Sequence, residues 1–528
     1  MRSFHLPGRS PVYSQRAMCA TSHPLASLAA VEMMRQGGNA VDAAITAAAV
    51  LAVVEHPMTG IGGDCFAMVA KPGKDLIALN ASGRAPAAAT AEWYAEAGIK
   101  QIEMQSAHAV TVPGAIDGWA TLLADHGTVS LAKALAPAID YAENGFVVAP
   151  RVAHDWKEAS AKLAAHPGAK QHLLPGGRAP NVGEVVRFPA LARTLRLIAE
   201  NGREGFYAGE VAEDIVAELK RMGGLHTLED FAAQRCSYVK PISVSYRGVE
   251  LWELPPNNHG IVALILLKML EKLDLRSMSP TSAERYHVLM EAGRLAYLMR
   301  DTFVADPDMA NVPVEHMLSD AVIDSLVKRI DRTKRLKDLG SAPRPVGSDT
   351  VYLSIVDESG MAVSFINSLF SAFGSGIVAP KSGVTLHNRG QGFVLDPAHS
   401  NCIAPRKRPM HTLVPAIATR DGKPFLSFGV MGAAFQPMGH VLVLTNMIDY
   451  GMDPQEAVDC PRVFFEGDDL FIEETVSAAV AEQLAAMGHS VKVRPEPWGG
   501  SQMVRIDREN GVLVGASDAR KDGCALGY

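Results

Sequence analysis

The segment 350–368 places the strongest constraint on the fold, because its composition is that of two strands joined by a tight turn. Residues 351–356 are rich in β-branched and aromatic side chains, which favour strands. Residues 357–360 (DESG) are typical of a turn, and 361–367 return as a second apolar run. The pattern predicts an antiparallel hairpin and places Thr350 where a loop enters its first strand.

Thr350 would gain unusual chemistry if the chain were cut before it. Cleavage of the Asp349–Thr350 bond would give Thr350 a free α-amine beside its own hydroxyl, which is a base and a nucleophile in one residue. The ordinary pKa of an α-amine is about 7.7–8.0, so a small decrease lets it accept a proton near pH 7. A strand threonine usually has only a packing role, so this interpretation depends on the sequence around it.

The bulk properties indicate a globular chain with a large core. The 528 residues are 48% hydrophobic and 20% charged, and the net charge of −7 argues against binding to nucleic acid or anionic membranes. Six scattered cysteines without a CxxC pair predict neither a zinc site nor a disulfide framework. Residues 1–23 lack the apolar segment of a secretory signal, and the most apolar run, 43–54, is too short to cross a bilayer. We therefore expect a cytoplasmic protein with no cofactor and no metal.

Periodicity and capping residues predict many helices and several adjacent pairs of strands. The predicted helices cover residues 24–34, 39–54, 131–144, 189–201, 210–222, 260–272 and 283–304, and the predicted strands cover 65–70, 243–254, 351–356, 361–368, 413–419 and 425–429. This combination favours antiparallel sheet covered by layers of helix. Residues 331–349 are basic and contain proline, which predicts an exposed loop that divides the chain into 1–349 and 350–528.

Several motifs together make the chain similar to the γ-glutamyltransferase family of N-terminal-nucleophile hydrolases over nearly its whole length. They are GGNAVDAA at 37–44, GIGGD at 60–64, Thr350 with SIVD at 354–357, FGSGIV at 373–378, KRP at 407–409, DCPR at 459–462, GASD at 515–518 and the final Gly527-Tyr528. The resemblance implies a four-layer αββα sandwich. It also implies a single precursor that cuts itself into a large subunit, 1–349, and a small subunit, 350–528, which stay associated.

The resemblance also implies roles for individual residues. Thr350 would attack the carbonyl of Asp349 during self-cleavage, and would later attack an amide substrate to form an acyl-enzyme. Ser368 occupies the position of a second hydroxyl that bridges the amine and the nucleophile. Gly432 and Ala433 occupy the position of a Gly-Gly pair whose amides form an oxyanion hole. We expect the Ala433 amide to keep this role if the φ angle there is negative.

The chain departs from the family where true γ-glutamyltransferases hold the α-carboxylate and α-amine of glutamate. Ser82 replaces an arginine (with Arg84 two residues on), Phe370 replaces an asparagine, Gly392 replaces an acidic residue, and His411-Thr412 replace two serines. An ammonium without a carboxylate partner loses a bond worth roughly 1.5–3 kcal/mol, and Arg389 nearby would repel it. We therefore expect an acyl group with a carboxylate but no free α-amine, as in the acylase and oxamate-amidohydrolase-like relatives. The expected carboxylate-binding residues are Arg84, Arg389, His411 and Thr412.

Other interpretations remain open at this stage. Arg84 and Arg389 also fit structural ion pairs, and His411 also fits a buried core histidine. The chain could be a true γ-glutamyltransferase or glutathione hydrolase, or an uncleaved, inactive member that acts as a binding protein. The expected partners are a small amide substrate and the two subunits of one precursor, with the oligomeric state left open. The sequence contains no HExxH or GxSxG motif, which disfavours a zinc protease or a serine α/β-hydrolase.

Overall fold

A computed structural model describes residues 8–337, 339 and 349–528, with only the backbone described for Asp349. The predicted processing loop covers residues 331–349. Its residues 338 and 340–348 lie outside the described residues. None of the helices in the described chain has the length and apolar character needed to cross a membrane.

The described chain forms nineteen strands. They are β1 (Val12–Ser14), β2 (Met18–Thr21), β3 (Asp64–Ala70), β4 (Ile77–Ala81), β5 (Phe146–Val147), β6 (Val185–Val186), β7 (Ser237–Val239), β8 (Ile242–Tyr246), β9 (Val249–Glu253), β10 (Asp349–Val356), β11 (Ala362–Phe370), β12 (Ala416–Arg420), β13 (Lys423–Val430), β14 (Val463–Glu466), β15 (Asp469–Ile472), β16 (Ser490–Val493), β17 (Ser501–Asp507), β18 (Val512–Ser517) and β19 (Cys524–Gly527).

The same residues form nineteen α-helices. They are α1 (Pro24–Arg35), α2 (Ala40–Val54), α3 (Ala91–Glu96), α4 (Ala115–His126), α5 (Leu131–Asn144), α6 (Pro150–Glu158), α7 (Ser160–Ala164), α8 (Pro167–Leu173), α9 (Pro189–Asn201), α10 (Glu204–Tyr207), α11 (Gly209–Arg221), α12 (Leu228–Ala233), α13 (Ile261–Glu271), α14 (Ala283–Phe303), α15 (Val314–Met317), α16 (Asp320–Val327), α17 (Gln436–Tyr450), α18 (Pro454–Asp459) and α19 (Ala478–Ala486).

Two seven-stranded antiparallel sheets form the centre of the molecule. The first sheet has the order β1-β18-β17-β13-β12-β9-β8, and the second has the order β19-β2-β10-β11-β3-β4-β7. The sheets pack face to face through apolar side chains that include Met18, Phe66, Tyr352, Ile417 and Met431. Helices α1, α2 and α4 cover the outside of the second sheet, and α13, α17 and α18 cover the outside of the first. This arrangement confirms the four-layer αββα sandwich.

Helix α2 shows how the sequence produces one of the outer layers. Asn39 caps the helix in a capping box with Asp42, and every residue from Ala40 to Val54 is buried. A helix that is apolar on all sides must be covered on all sides, and α2 packs against α1, α5 and the second sheet.

Each sheet contains strands from both sides of the Asp349–Thr350 bond. In the second sheet β10, β11 and β19 follow this bond, while β2, β3, β4 and β7 precede it. In the first sheet β12, β13, β17 and β18 follow it. Two pieces produced by a cut at this bond would therefore be intertwined in one hydrogen-bonded core.

The predicted helices are confirmed, with ends within one residue of those observed. The strand predicted over 243–254 is wrong as a single element, because residues 247 and 248 turn the chain and divide it into β8 and β9. Arg247 and Gly248 have φ angles of 49° and 83°, as a two-residue hairpin turn requires. The strand predicted over 413–419 begins later, at Ala416, because the Leu413 and Val414 amides donate to side chains and not to a neighbouring strand.

Candidate active site

Thr350 lies at a bulge near the start of β10. Asp349 pairs with Phe370 on β11 and Val351 pairs with Asn367, so Thr350 faces two residues where a regular ladder would give it one. Bulges of this kind redirect side chains and are common beside active sites. The Thr350 Oγ1 lies 3.2 Å from the Oγ of Ser368, and both residues are only 1% exposed.

The position of Ser368 is fixed by its own hydrogen bond and by the neighbouring strand. Its Oγ accepts a hydrogen bond of 2.7 Å from the Phe370 amide. Across the sheet Ser368 pairs with Asp64 at the start of β3. A side chain on Gly63 would overlap the Ser368 carbonyl, so the GIGGD glycine is needed for the close approach of the two backbones.

Arg389 is a buried cation that packs on Phe370, the residue whose amide donates to Ser368. Its Nη1 donates to the Thr412 Oγ1 at 2.8 Å, and its guanidinium carbon lies 4.0 Å from the centre of the Phe370 ring. Among the described residues the Thr412 contact is its single hydrogen bond, its Nε has no partner, and no carboxylate forms an ion pair with it. Burial lowers the pKa of Arg389 to about 9, against the opposing effect of Asp64. The structure therefore brings Thr350, Ser368, Phe370, Arg389 and Thr412 together.

His411 belongs to a buried network around Asp64. The Asp64 Oδ2 lies 3.1 Å from the His411 Nε2 and 3.4 Å from the His387 Nδ1, and its Oδ1 accepts from the Gly83 and Gly114 amides. Burial opposes the ionisation of Asp64, but His387 and His411 outweigh it and hold the pKa of Asp64 well below its usual range. Asp64 is therefore a carboxylate that accepts from two backbone amides and from His411, with the His387 ring close to it.

The Asp64 network occupies both ring nitrogens of His411. The His411 Nε2 faces Asp64, and its Nδ1 accepts from the Leu413 amide at 3.3 Å. Burial, with the nearby Arg389 charge, lowers the pKa of His411 to about 3, so the ring is neutral. This geometry matches the buried core histidine that the sequence left open.

Arg84 does not join this cluster. Within the described residues its guanidinium lies 3.4 Å from Asp308 and 3.7 Å from Asp306, and it donates to the Arg406 carbonyl. The side chain is 27% exposed and borders an open surface cavity of about 370 Å³ together with Arg408. The structural ion pair considered from the sequence is thus the environment that Arg84 has.

The two oxyanion-hole candidates follow β13. Gly432 has a φ of 121° and Ala433 a φ of 46°, so the condition of a negative φ at Ala433 is not met. A left-handed conformation costs a residue with a side chain roughly 1–2 kcal/mol. Neither amide donates to another group of the described chain, and Met431 just before them packs in the inter-sheet core with Tyr352. Strain retained beside unpaired amides is typical of a functional loop.

Asp64 and His387 are the site residues that sequence reasoning missed. In the sequence the GIGGD motif only supports the family resemblance, and its aspartate receives no role. Asp64 contacts His387 and His411, more than 300 residues further along the chain, so only the tertiary structure reveals the network. A buried acidic residue directly after a glycine turn was the one available signal.

Comparisons with known proteins agree with this geometry. Residues 26–528 match the family model described as gamma-glutamyltranspeptidase. The chain is 38% identical to the glutathione hydrolase-like YwrD proenzyme of Bacillus subtilis, over 98% of this chain and 99% of that one. It is 35% identical to the oxamate amidohydrolase proenzyme of Klebsiella pneumoniae, with the same coverage. The crystal structure of cephalosporin acylase from Bacillus halodurans has a TM-score of 0.92 and 39% identity, over 100% of this chain and 99% of that chain.

The match spans nearly the whole chain and includes relatives above 30% identity. The fold, the intertwined halves and the position of Thr350 beside Ser368 are consistent with it. The chain therefore belongs to the gamma-glutamyltranspeptidase family of hydrolases and acyltransferases.

Proposed function

We propose that this protein is a self-processing amide hydrolase in which Thr350 is the nucleophile, and that its substrate is a small acyl amide with a carboxylate and no free α-amine. The observation that carries the proposal is the contact of 3.2 Å between the hydroxyls of Thr350 and Ser368 at the start of β10. A cut before Thr350 would place the new α-amine on the same residue.

Self-cleavage would begin with attack of the Thr350 Oγ1 on the carbonyl carbon of Asp349. The C–N bond to Thr350 breaks, the amide nitrogen takes the hydroxyl proton, and an ester joins the two residues. Water then hydrolyses the ester, which releases the Asp349 carboxylate and leaves Thr350 with its hydroxyl and a free α-amine. The first subunit is 1–349 and the second is 350–528.

Turnover would use the same oxygen. The α-amine of Thr350 accepts the hydroxyl proton as Oγ1 attacks the substrate carbonyl, and it passes the proton to the leaving amine. Water hydrolyses the resulting ester and restores the hydroxyl. The amides of Gly432 and Ala433 are our candidates for stabilising the oxyanion, a role in which one donor is worth roughly 10²–10³ in rate.

The preference for a carboxylate follows from the incomplete pairing of Arg389. A buried guanidinium with one hydrogen bond and no ion pair is a costly arrangement, and an incoming carboxylate would supply the missing acceptor. Phe370 covers one face of the guanidinium, and Thr412 holds its Nη1. The same positive charge would repel an ammonium group, which argues against an α-amino acyl group such as γ-glutamyl.

The names of the relatives allow more than one substrate class. Oxamate has a carboxylate and no amine, and the oxamate amidohydrolase proenzyme is 35% identical to this chain. Glutathione does have a free α-amine, and the glutathione hydrolase proenzyme of Escherichia coli is 32% identical. The environment of Arg389 favours the first class. A cytoplasmic location is retained from the sequence as part of the proposal.

The test begins with a denaturing gel of purified protein. Self-cleavage is expected to give bands of about 37 and about 19 kDa, which divide 56.3 kDa in the ratio of 349 to 179 residues. Thr350→Ala should remain one band and show no hydrolysis, while Thr350→Ser should keep both activities. An intact, inactive wild-type chain would favour the binding-protein alternative, and cleavage of Thr350→Ala at the same bond would refute the mechanism.

A panel of amides then tests the substrate class. Ammonia or amine release should be faster from dicarboxylic monoamides than from γ-glutamyl amides of similar size. Faster turnover of a γ-glutamyl substrate would instead identify a true γ-glutamyl hydrolase or transferase.

A further inference from the structure

Three buried side chains far from Thr350 in sequence form a second cluster with chemical potential. His287 and Glu291 lie on α14 and His489 lies between α19 and β16. One ligand atom from each of the three lies within 4.8 Å of the others, in the described part of the chain. The four-residue spacing of His287 and Glu291 places both on one face of the helix.

The hydrogen bonds of His287 define which of its nitrogens is available. Its Nε2 lies 2.7 Å from the Asp331 carbonyl, which can only accept, so Nε2 carries the proton. Its Nδ1 therefore presents a lone pair, and it faces the His489 Nε2 at 2.8 Å. A histidine that donates one N–H to a carbonyl and presents the other nitrogen has the arrangement usual for a metal ligand.

Glu291 is held in place by a backbone amide and by an arginine. Its Oε2 accepts from the Leu336 amide, and its Oε1 lies 3.3 Å from the Arg294 guanidinium. Each carboxylate oxygen has two lone pairs, so these contacts leave acceptor capacity. Arg335 lies near His489, and its guanidinium pairs with Asp468 at 2.7 Å.

The cluster also holds the chain that leads towards the Asp349–Thr350 bond. Asp331 and Leu336 contact His287 and Glu291, and the Arg335 amide donates to the Met487 carbonyl near His489. Residues 331–336 thus cross between α14 and α19, with direct contacts to the side chains of His287 and Glu291 and a backbone contact two residues before His489.

We propose that His287, Glu291 and His489 form a binding site for a transition-metal ion of the zinc type, and that the ion fastens residues 331–336 to the body of the protein. Two imidazoles and one carboxylate are a donor set that suits Zn²⁺ and not Mg²⁺ or Ca²⁺, which prefer oxygen. The fourth position would be taken by water. This site is separate from the Thr350 centre and does not depend on the proposed hydrolase activity.

Binding requires a small rearrangement. Zn–N bonds of roughly 2.0–2.1 Å place two nitrogens of a tetrahedral ion on the order of 3.3 Å apart, so the two rings must separate by on the order of 0.5 Å. The His489 proton must also move from Nε2 to Nδ1, so that both nitrogens present lone pairs to the ion.

Metal titration of the full-length, purified protein tests the site. After treatment with EDTA, the protein is titrated with Zn²⁺ against a chromophoric chelator, and with Co²⁺ to record the absorption of a tetrahedral site. We expect one ion per chain, at least about 10-fold weaker binding in His489→Ala and Glu291→Gln, and unchanged binding in His316→Ala, which alters an exposed histidine. Hydrogen exchange of residues 331–336 should slow when Zn²⁺ is added.

Several results would overturn this proposal. They are the absence of stoichiometric Zn²⁺ binding, equal binding in wild type and His489→Ala, or exchange in 331–336 that does not respond to the metal. Glu291→Gln retains the shape of the side chain and its acceptor for Leu336, so it separates loss of a ligand from loss of the fold. If His489→Ala does not fold, Glu291→Gln decides the outcome.

Discussion

The hydroxyls of Thr350 and Ser368 lie 3.2 Å apart because a bulge in β11 lets Ser368 and Leu369 share the place opposite Thr350. A regular ladder would put a single residue there. Ser368 is in turn fixed by the Phe370 amide, and its backbone by the close approach of Gly63. The geometry of the two hydroxyls is thus a property of three strands and not of Thr350 alone.

Loss of the Ser368 hydroxyl should slow both reactions that use Thr350. Ser368→Ala removes the contact between the Ser368 and Thr350 hydroxyls, which is worth about 1 kcal/mol net and orients the Thr350 hydroxyl. We therefore expect the rates of chain cleavage and amide hydrolysis to fall by about 10-fold. Ser368→Thr keeps a hydroxyl and should retain most of the activity. The rates are measured by gel densitometry and by amine release, and equal rates in wild type and Ser368→Ala would contradict the bridging role.

Replacement of Arg389 should separate substrate binding from stability. In Arg389→Met the KM for amides with a carboxylate should rise by about 10- to 100-fold, because one charge-assisted hydrogen bond to the substrate is lost. The change in kcat should be smaller. The matching methyl-ester amides, which lack the charge, serve as the control and should be affected little. A parallel loss on both substrate series would show that the charge of Arg389 does not bind the acyl group.

The same variant should not unfold the protein. Arg389 is buried with one hydrogen bond and no ion pair in the described chain, and an apolar side chain of similar length can replace such a group at little cost. We expect the Tm of Arg389→Met to equal or exceed that of wild type. A marked decrease would mean that the contacts with Thr412 and Phe370 outweigh the desolvation of the charge.

The sequence was sufficient for the elements with strong periodicity and for the hairpin that contains Thr350. Helix α2 could be predicted because a run of fifteen residues with no polar face forms a helix that is buried on all sides. The hairpin that contains Thr350 could be predicted because a turn separates two apolar runs. The bulge, by contrast, depends on the register of β10 against β11, which no local pattern specifies. The same limit hid the His287–His489 contact, since 202 residues separate the two.

Arg84 shows a different limit of the sequence, because nearness along the chain does not determine which groups a side chain meets in the fold. It stands two residues from the position of a family arginine, and this suggested a shared role. In the fold its guanidinium faces the buried Asp306 and the exposed Asp308, while the neighbouring Gly83 amide donates to Asp64.

Acid should destabilise the protein partly through His411. The pKa of His411 is about 3 in the folded protein, lowered by burial and by Arg389, against about 6.5 unfolded. Between these values the unfolded chain binds a proton that the folded chain does not, so stability is full above pH 6.5 and falls as the pH decreases towards 3. His411→Gln should show a shallower decrease in Tm over this range, and His316→Ala an unchanged one. Parallel curves for wild type and His411→Gln would refute the assignment.

Ala433 offers a test of strain beside the candidate oxyanion hole. Its φ of 46° is costly for alanine and free for glycine, while glycine loses more entropy on folding. The balance predicts that Ala433→Gly stabilises the protein by about 0.5–1 kcal/mol. Activity should change little because the backbone amide remains.

The neighbouring Ala434→Gly is the matched control, since Ala434 has no positive φ and should lose stability. Thermal unfolding and the amide assay check both variants. If Ala433→Gly instead loses stability like Ala434→Gly, or if its activity falls by 10² or more, the loop depends on the alanine side chain and not only on its amide.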